Sequence, residues 1–310
     1  MMEQPQIQPL FNQQTEVKSL FERRVKPSRL EFEAKMILQR LFEHDQSMGA
    51  NVCEISGMPG SAKSAVMLSF VNYTILHHPN EKIFWSSAYG APIDAFKLGR
   101  GKFRILVKEG SDVYFYDRIN DCEVELDVIR FTDFDDCYKK CKPGICNVVF
   151  FGQPRTIWME WIEYIKSRPG WHHVYVDEFS EVCPGDVKGK LFHRIAKFAN
   201  YVVGQLRKCN CNLFYNSQSY GDISYRVRRK LTIRIFMPGA KADRKTRITQ
   251  KAIDNLQRSR EYGNQAYLDY GGVFGKTQFT DIFEPIAGVS VDARRRGMTT
   301  VLMEGEADEE

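Results

Sequence analysis

Residues 51–64, Asn51-Val-Cys-Glu-Ile-Ser-Gly57-Met-Pro-Gly60-Ser-Ala-Lys63-Ser64, read as a short strand, a glycine-bearing loop and the start of a helix, and the other segments take their places relative to them. The pattern G-x-x-x-x-G-K-[ST] describes a phosphate-binding loop. Its glycines let the backbone turn N–H groups inward, and the helix N-terminus adds further donors. Gly57, Met58, Pro59, Gly60, Ser61, Ala62, Lys63 and Ser64 are therefore the expected phosphate contacts. Ala62 stands where the pattern has its second glycine, and alanine resists positive φ. The surroundings fit the motif: a β-compatible apolar run precedes it, and residues 64–76 follow with helical spacing. In such a loop Lys63 bridges the β- and γ-phosphates of a nucleoside triphosphate such as ATP, and the Ser64 hydroxyl is a ligand of Mg²⁺.

A phosphate loop needs carboxylates to be more than a cradle. The apolar run Val174-Tyr-Val176 ends in Asp177-Glu178, two acids at the C-terminal end of an expected strand. Phosphoryl transfer to water divides its work between such groups: Asp177 to orient Mg²⁺, Glu178 to hold the attacking water. The next apolar run, residues 211–215, ends in Asn216-Ser-Gln218. In open α/β sheets ligands bind beyond the carboxyl ends of the strands, so an amide there reaches the phosphate or the water. Taken singly, the acids also fit a solvated turn, and the amides fit a loop entry.

Strand-like runs at 82–87, 146–151 and 171–176 alternate with helical patterns at 28–42, 158–167 and 188–206, which implies a mostly parallel central sheet flanked by helices. In the first helix Leu30, Met36, Ile37, Leu38, Leu41 and Phe42 form the expected apolar face. Alternating runs between residues 102 and 130, separated by Gly- and Asn-bearing breaks, are spaced like hairpin strands and predict a small β-rich insertion. The domain reading is a flexible, Gln-rich arm over 1–28, one ATPase domain over 29–290 and a charged, solvated tail over 291–310 that includes Arg294-Arg-Arg296.

Charge is concentrated rather than spread. The chain as a whole carries +5, whereas residues 222–261 hold twelve Lys/Arg against four Asp/Glu. That stretch suits contacts to a nucleic-acid backbone, or an arginine completing a neighbouring subunit's nucleotide site; a solvated face remains the plainer alternative. The eight Cys lack paired C-x-x-C spacing, and no secretory apolar segment opens the chain, so reduced thiols and a cytoplasmic location are expected. No apolar run approaches the roughly 18 residues that crossing a bilayer requires.

Taken together, Gly57–Ser64 with Asp177-Glu178 and, above all, Tyr215-Asn-Ser-Gln218-Ser-Tyr-Gly-Asp-Ile-Ser-Tyr-Arg226-Val-Arg-Arg229 resemble the HerA/FtsK superfamily of P-loop ATPases, in particular DNA-packaging and DNA-translocating ATPases of archaeal viruses and plasmids. The resemblance implies a RecA-like core in which the strand ending at Gln218 lies between those of Gly57 and Asp177. It also implies a homo-oligomeric ring, commonly a hexamer, that acts on double-stranded DNA. A capsid, portal-like or membrane protein is a further partner that such a motor would dock on. Gln218 would then sense the γ-phosphate, and Arg226, Arg228 and Arg229 are the candidates for an arginine acting in trans, Arg226 and Arg229 foremost. Two other activities stay open at this point: a membrane-associated export ATPase of the same superfamily, and a nucleotide-dependent switch without motor activity.

Overall fold

The computed structural model describes residues 29–44, 49–86, 93–152, 156–183, 185, 190–218, 223–242, 248–259, 263–279 and 290–295. The 1–28 arm, the loop at 88–92 and the acidic end beyond residue 295 lie outside the described residues. In chain order the elements begin with α1 (Arg29–Phe42), β1 (Val52–Ser56), α2 (Lys63–His77) and β2 (Lys82–Ser86), then a 3-10 turn at Asp94–Leu98. Next come β3 (Phe103–Lys108), β4 (Val113–Asp117), β5 (Cys122–Val124), β6 (Val128–Phe131), α3 (Phe134–Lys140), β7 (Cys146–Phe150) and α4 (Ile157–Ile165). The second half runs β8 (His172–Val176), α5 (Phe179–Val182), α6 (Lys190–Leu206), β9 (Cys211–Ser217), α7 (Tyr225–Arg228) and β10 (Ile233–Phe236). It closes with α8 (Gln250–Asp254), β11 (Arg258–Ser259), β12 (Gly263–Tyr270), β13 (Val273–Phe279) and β14 (Val291–Arg295).

One mostly parallel sheet carries the fold, in the order β10-β1-β9-β8-β2-β7-β3-β6, and β12 extends it antiparallel beyond β10 with β11 and β13 paired to β12. The central strands β1, β9, β8, β2 and β7 are buried on both faces, which is why they read as continuous apolar runs. Side chains alternate between faces. Tyr175 packs with α1 and α2, while Val174 and Val176 pack with α4, α5 and α6. Both layers are aromatic-rich: Phe42 meets Phe70 edge-on at 5.5 Å, and Trp161 meets Phe84 edge-on at 5.3 Å. Complete burial of side chains this large contributes about 1.5–3 kcal/mol each.

Three expectations are corrected. The run at 103–107 is not part of a hairpin: β3 lies parallel between β7 and β6 in the central sheet. Only β4 and β5 leave that sheet, and they pair with β14 in a small antiparallel one. Residues 291–295 are therefore a strand rather than tail. Val291 and Ala293 point inward, and the fully buried Asp292 is held by Arg118 and Arg294, whose guanidinium also lies 3.7 Å from the centre of the Tyr116 ring. On α1 the buried face is Ala34, Ile37, Leu38, Leu41 and Phe42; Leu30 and Met36 are exposed. The rotation follows from β13, which supports the helix so closely that a Cβ built on Gly275 would lie 2.2 Å from the Ala34 nitrogen.

Candidate functional site: a phosphate loop facing two acids

Hydrogen-bond register brings the three polar strand ends together. β9 lies between β1 and β8, pairing Ile55 with Asn216 on one side and Tyr215 with Val176 on the other. This is the arrangement the sequence resemblance implied. The C-terminal ends of the three strands therefore sit side by side, with the loop at 57–62, Asp177-Glu178 and Ser217-Gln218 leaving the same edge.

The loop is shaped by two residues with positive φ, Gly60 at 73° and Ala62 at 66°. The position where the pattern has glycine thus does take the left-handed conformation, and alanine bears the strain. A left-handed residue with a Cβ costs roughly 1–2 kcal/mol, part of which glycine returns through its freer unfolded chain. Ala62→Gly is expected to stabilise the fold by about 0.5–1 kcal/mol, measured as a rise in Tm, and to leave the rest of the site unchanged. No side chain caps the start of α2, so its first-turn amides face the loop without a side-chain acceptor. Ser61 is fully buried, and its Oγ has no hydrogen-bond partner among the described residues.

Lys63 is buried, and its Nζ donates to the carbonyls of Gly57 at 2.9 Å and Met58 at 3.1 Å. Burial lowers its pKa, and the charges of Glu178 and Asp177 act in the opposite direction. The ammonium thus feels both acids across the loop. Ser64 Oγ donates to Asp177 Oδ1 at 3.4 Å, which puts a hydroxyl and a carboxylate oxygen together at the helix start. Hard oxygen donors of this kind fit Mg²⁺, an ion that keeps much of its own water and needs few protein ligands.

Asn216 ties the acids to the sheet. It is buried; its Nδ2 donates to Asp177 Oδ1, and its Oδ1 accepts the Glu178 N–H at 2.7 Å. That second bond holds Glu178 in a left-handed conformation, φ 53°, which turns its side chain out of the strand direction. Glu178 Oε1 then accepts from Gln218 Nε2 at 3.1 Å. One residue back, Ser217 Oγ donates to the buried Glu54 at 2.9 Å and anchors the end of β9 to β1.

The sequence-derived residues divide into two groups. Gly57 to Ser64, Asp177, Glu178 and Gln218 come together. Arg226 and Arg229 are exposed on and just after α7, and among the described residues no hydrogen bond or ion pair joins them to Lys63, Asp177, Glu178 or Gln218. Arg229 instead lies 5.8 Å from the centre of the Tyr225 ring. Sequence reasoning named Asn216 only as part of the polar strand end Asn216-Ser-Gln218 and gave it no role of its own; it is the penultimate residue of β9, with Gln218 just beyond the strand. Sequence reasoning also passed over Arg258, whose guanidinium is 3.4 Å from where a Gly60 Cβ would stand.

No family model and no curated protein matches the chain. Among solved structures it is similar to the genome packaging NTPase B204 from Sulfolobus turreted icosahedral virus 2 in complex with ATP-gammaS, at 11% identity over 74% of this chain and 98% of that one, with a TM-score of 0.46. It is also similar to the N-terminal domain of zonular occludens toxin from Neisseria meningitidis, at 14% identity over 76% and 100% of the two chains and a TM-score of 0.34. The pCW3 conjugation coupling protein TcpA is a third, at 11% identity, 76% and 61% coverage and a TM-score of 0.40.

Proposed function

We propose that this chain is an Mg²⁺-dependent ATPase that hydrolyses ATP with water to move double-stranded DNA, working as a homo-oligomeric ring. The observation that carries the reading is the convergence of Lys63, Ser64, Asp177, Glu178 and Gln218 at the ends of three adjacent strands, joined through Asn216. The amides at the start of α2 and the Lys63 ammonium bind phosphate oxygens. Ser64 Oγ and Asp177 hold Mg²⁺, which when bound neutralises charge on the phosphates. Glu178 Oε1 is engaged by Gln218, leaving Oε2 to orient a water and accept its proton. Gln218 steadies that carboxylate and is the group whose partner changes when the γ-phosphate leaves, linking the site to the basic segment after β9.

DNA as the cargo is supported by that basic segment, in which Arg226, Arg229, Lys230, Lys241 and Lys251 are exposed. Packaging of a viral genome, or plasmid transfer, is the process that the sequence resemblance suggests. Among the described residues no helix is long and apolar enough to cross a membrane; a capsid, portal-like or membrane protein is a further partner of the proposed motor.

The deciding experiment is ATP turnover with and without duplex DNA, together with negative-stain images in ATP and Mg²⁺. Stimulation by DNA and ring-shaped particles are the expected results. Turnover indifferent to DNA would favour an export ATPase, and binding without turnover would favour a nucleotide switch. Charge reversal at Arg226, Arg228 or Arg229 is expected to stop turnover at one of these positions and to be rescued by mixing with Glu178→Gln subunits. Failure of rescue at all three removes the trans-acting arginine from this segment.

A further inference from the structure

At the opposite end of the sheet, where the parallel strands begin, three imidazoles surround one carboxylate. His44 follows α1, His78 ends α2, Glu81 immediately precedes β2, and His173 is the second residue of β8. Among the described residues, one donor atom from each of His44, Glu81 and His173 lies within 4.8 Å of the other two. His44 Nδ1 is 3.1 Å from Glu81 Oε1, and His173 Nε2 is 2.5 Å from Oε2. His78 Nδ1 stands 3.5 Å from Oε1 at the side of the group. We propose that His44, Glu81 and His173 bind a divalent transition-metal ion, with zinc the best match and water completing its shell, at a site remote from the phosphate loop.

The donor set selects the class of ion. Two imidazole nitrogens and one carboxylate oxygen suit zinc, cobalt or nickel; magnesium and calcium prefer oxygen alone. Zinc bonds of about 2.0–2.1 Å put neighbouring ligand atoms about 3.3 Å apart in a tetrahedral shell, close to the 3.1 Å between His44 and Glu81. The rings are held in place beforehand. His173 is completely buried in β8, and His44 is stacked on Trp171 with ring centres 4.2 Å apart and planes 15° from parallel. The carboxylate is only 14% exposed, and its ion-pair partners among the described residues are imidazoles alone, with no Lys or Arg to balance it. A largely buried carboxylate that no Lys or Arg pairs is a place for a cation.

Two contacts oppose the metal: His173 Nε2 and Glu81 Oε2, 2.5 Å apart, must open toward the ligand spacing, and the other lies on the far side of the His173 ring. Asn212 Nδ2 lies 3.4 Å from His173 Nδ1, while its Oδ1 accepts the Asn51 N–H at 2.7 Å. With an ion on Nε2 the ring proton sits on Nδ1 and meets an amide N–H, so a long, weak hydrogen bond is given up for a coordinate bond. Metal-bound histidines ordinarily donate this proton to a carboxylate or carbonyl. Asn212 is therefore a positioning residue whose substitution separates the proposed site from a cluster held by hydrogen bonds alone.

The test uses the full chain after chelator treatment and desalting, with zinc chloride titrated calorimetrically near neutral pH and cobalt absorption reporting geometry. One saturable equivalent and a higher Tm are expected. His44→Ala and Glu81→Gln should each weaken binding by about tenfold or more, and Asn212→Asp should tighten it by about tenfold, since its second oxygen accepts the Nδ1 proton. His44 lies at the cluster's exposed side, so its variant keeps the test open should Glu81→Gln fail to fold. Absence of saturable uptake at one equivalent overturns the proposal. So does zinc affinity that neither His44→Ala nor Asn212→Asp alters.

Discussion

Glu178→Gln is expected to lower ATP turnover by about two to four orders of magnitude while ATP affinity stays within a few-fold of the parent. The substitution keeps the size of the side chain and an oxygen for Gln218, so the hydrogen bond at 3.1 Å survives. The backbone is also retained, because the left-handed turn at 178 is fixed by its N–H to Asn216 rather than by the carboxylate. Only the capacity to take a proton from water is lost. On the proposed reading affinity rests on the loop amides and Lys63, which the change does not touch. Steady-state hydrolysis and binding of a fluorescent ATP analogue read the two quantities separately. Hydrolysis at the parental rate would remove Glu178 from its role toward water, and lost binding would show that the acid shapes the loop instead.

The second large effect is on stability. Gly275→Ala is expected to cost about 3 kcal/mol, because the added Cβ would stand 2.2 Å from the nitrogen and 2.3 Å from the Cα of Ala34. Those are backbone atoms, with no torsion to swing them aside. Relief requires α1 to lift from β13, uncovering Ile37, Leu38, Leu41 and Phe42. Gly204→Ala is the matching control. Gly204 lies in α6, a Cβ there meets only the end of Lys230 at 3.7 Å, and helix propensity favours alanine by about 1 kcal/mol. Thermal melts should therefore move in opposite directions for the same chemical change at two glycines. A Gly275→Ala protein as stable as the parent would show that α1 rides loosely on the sheet.

Much of the site was legible because each part is local. The loop at 57–64 is one contiguous motif, and Asp177-Glu178 and Gln218 each close an apolar run that is itself a strand. Their adjacency is not written in any local pattern; it came from the likeness of residues 215–229 to a known arrangement, and the ladders of β1, β9 and β8 bear it out. What could not be read depends on distant partners. The run at 103–107 alternates like a hairpin strand, yet its neighbours are β7 and β6. Asp292 looks like tail charge until Arg118, far away in sequence, is seen to hold it. Ala62 could be recognised as a departure from the motif, but only the backbone shows that the left-handed angle is kept and the strain accepted. Asn216 resembles a loop-entry amide because both acids it bonds come from another strand.

The order β1-β9-β8 also limits how this centre can change. The acids and the amide stand at the ends of neighbouring strands of one sheet, and Lys63 opens the helix that the 57–62 loop joins to the third. With the strand ends fixed by their ladders, the gaps change through side-chain length, as in Glu178→Asp or Asn216→Gln, or through the 57–62 loop.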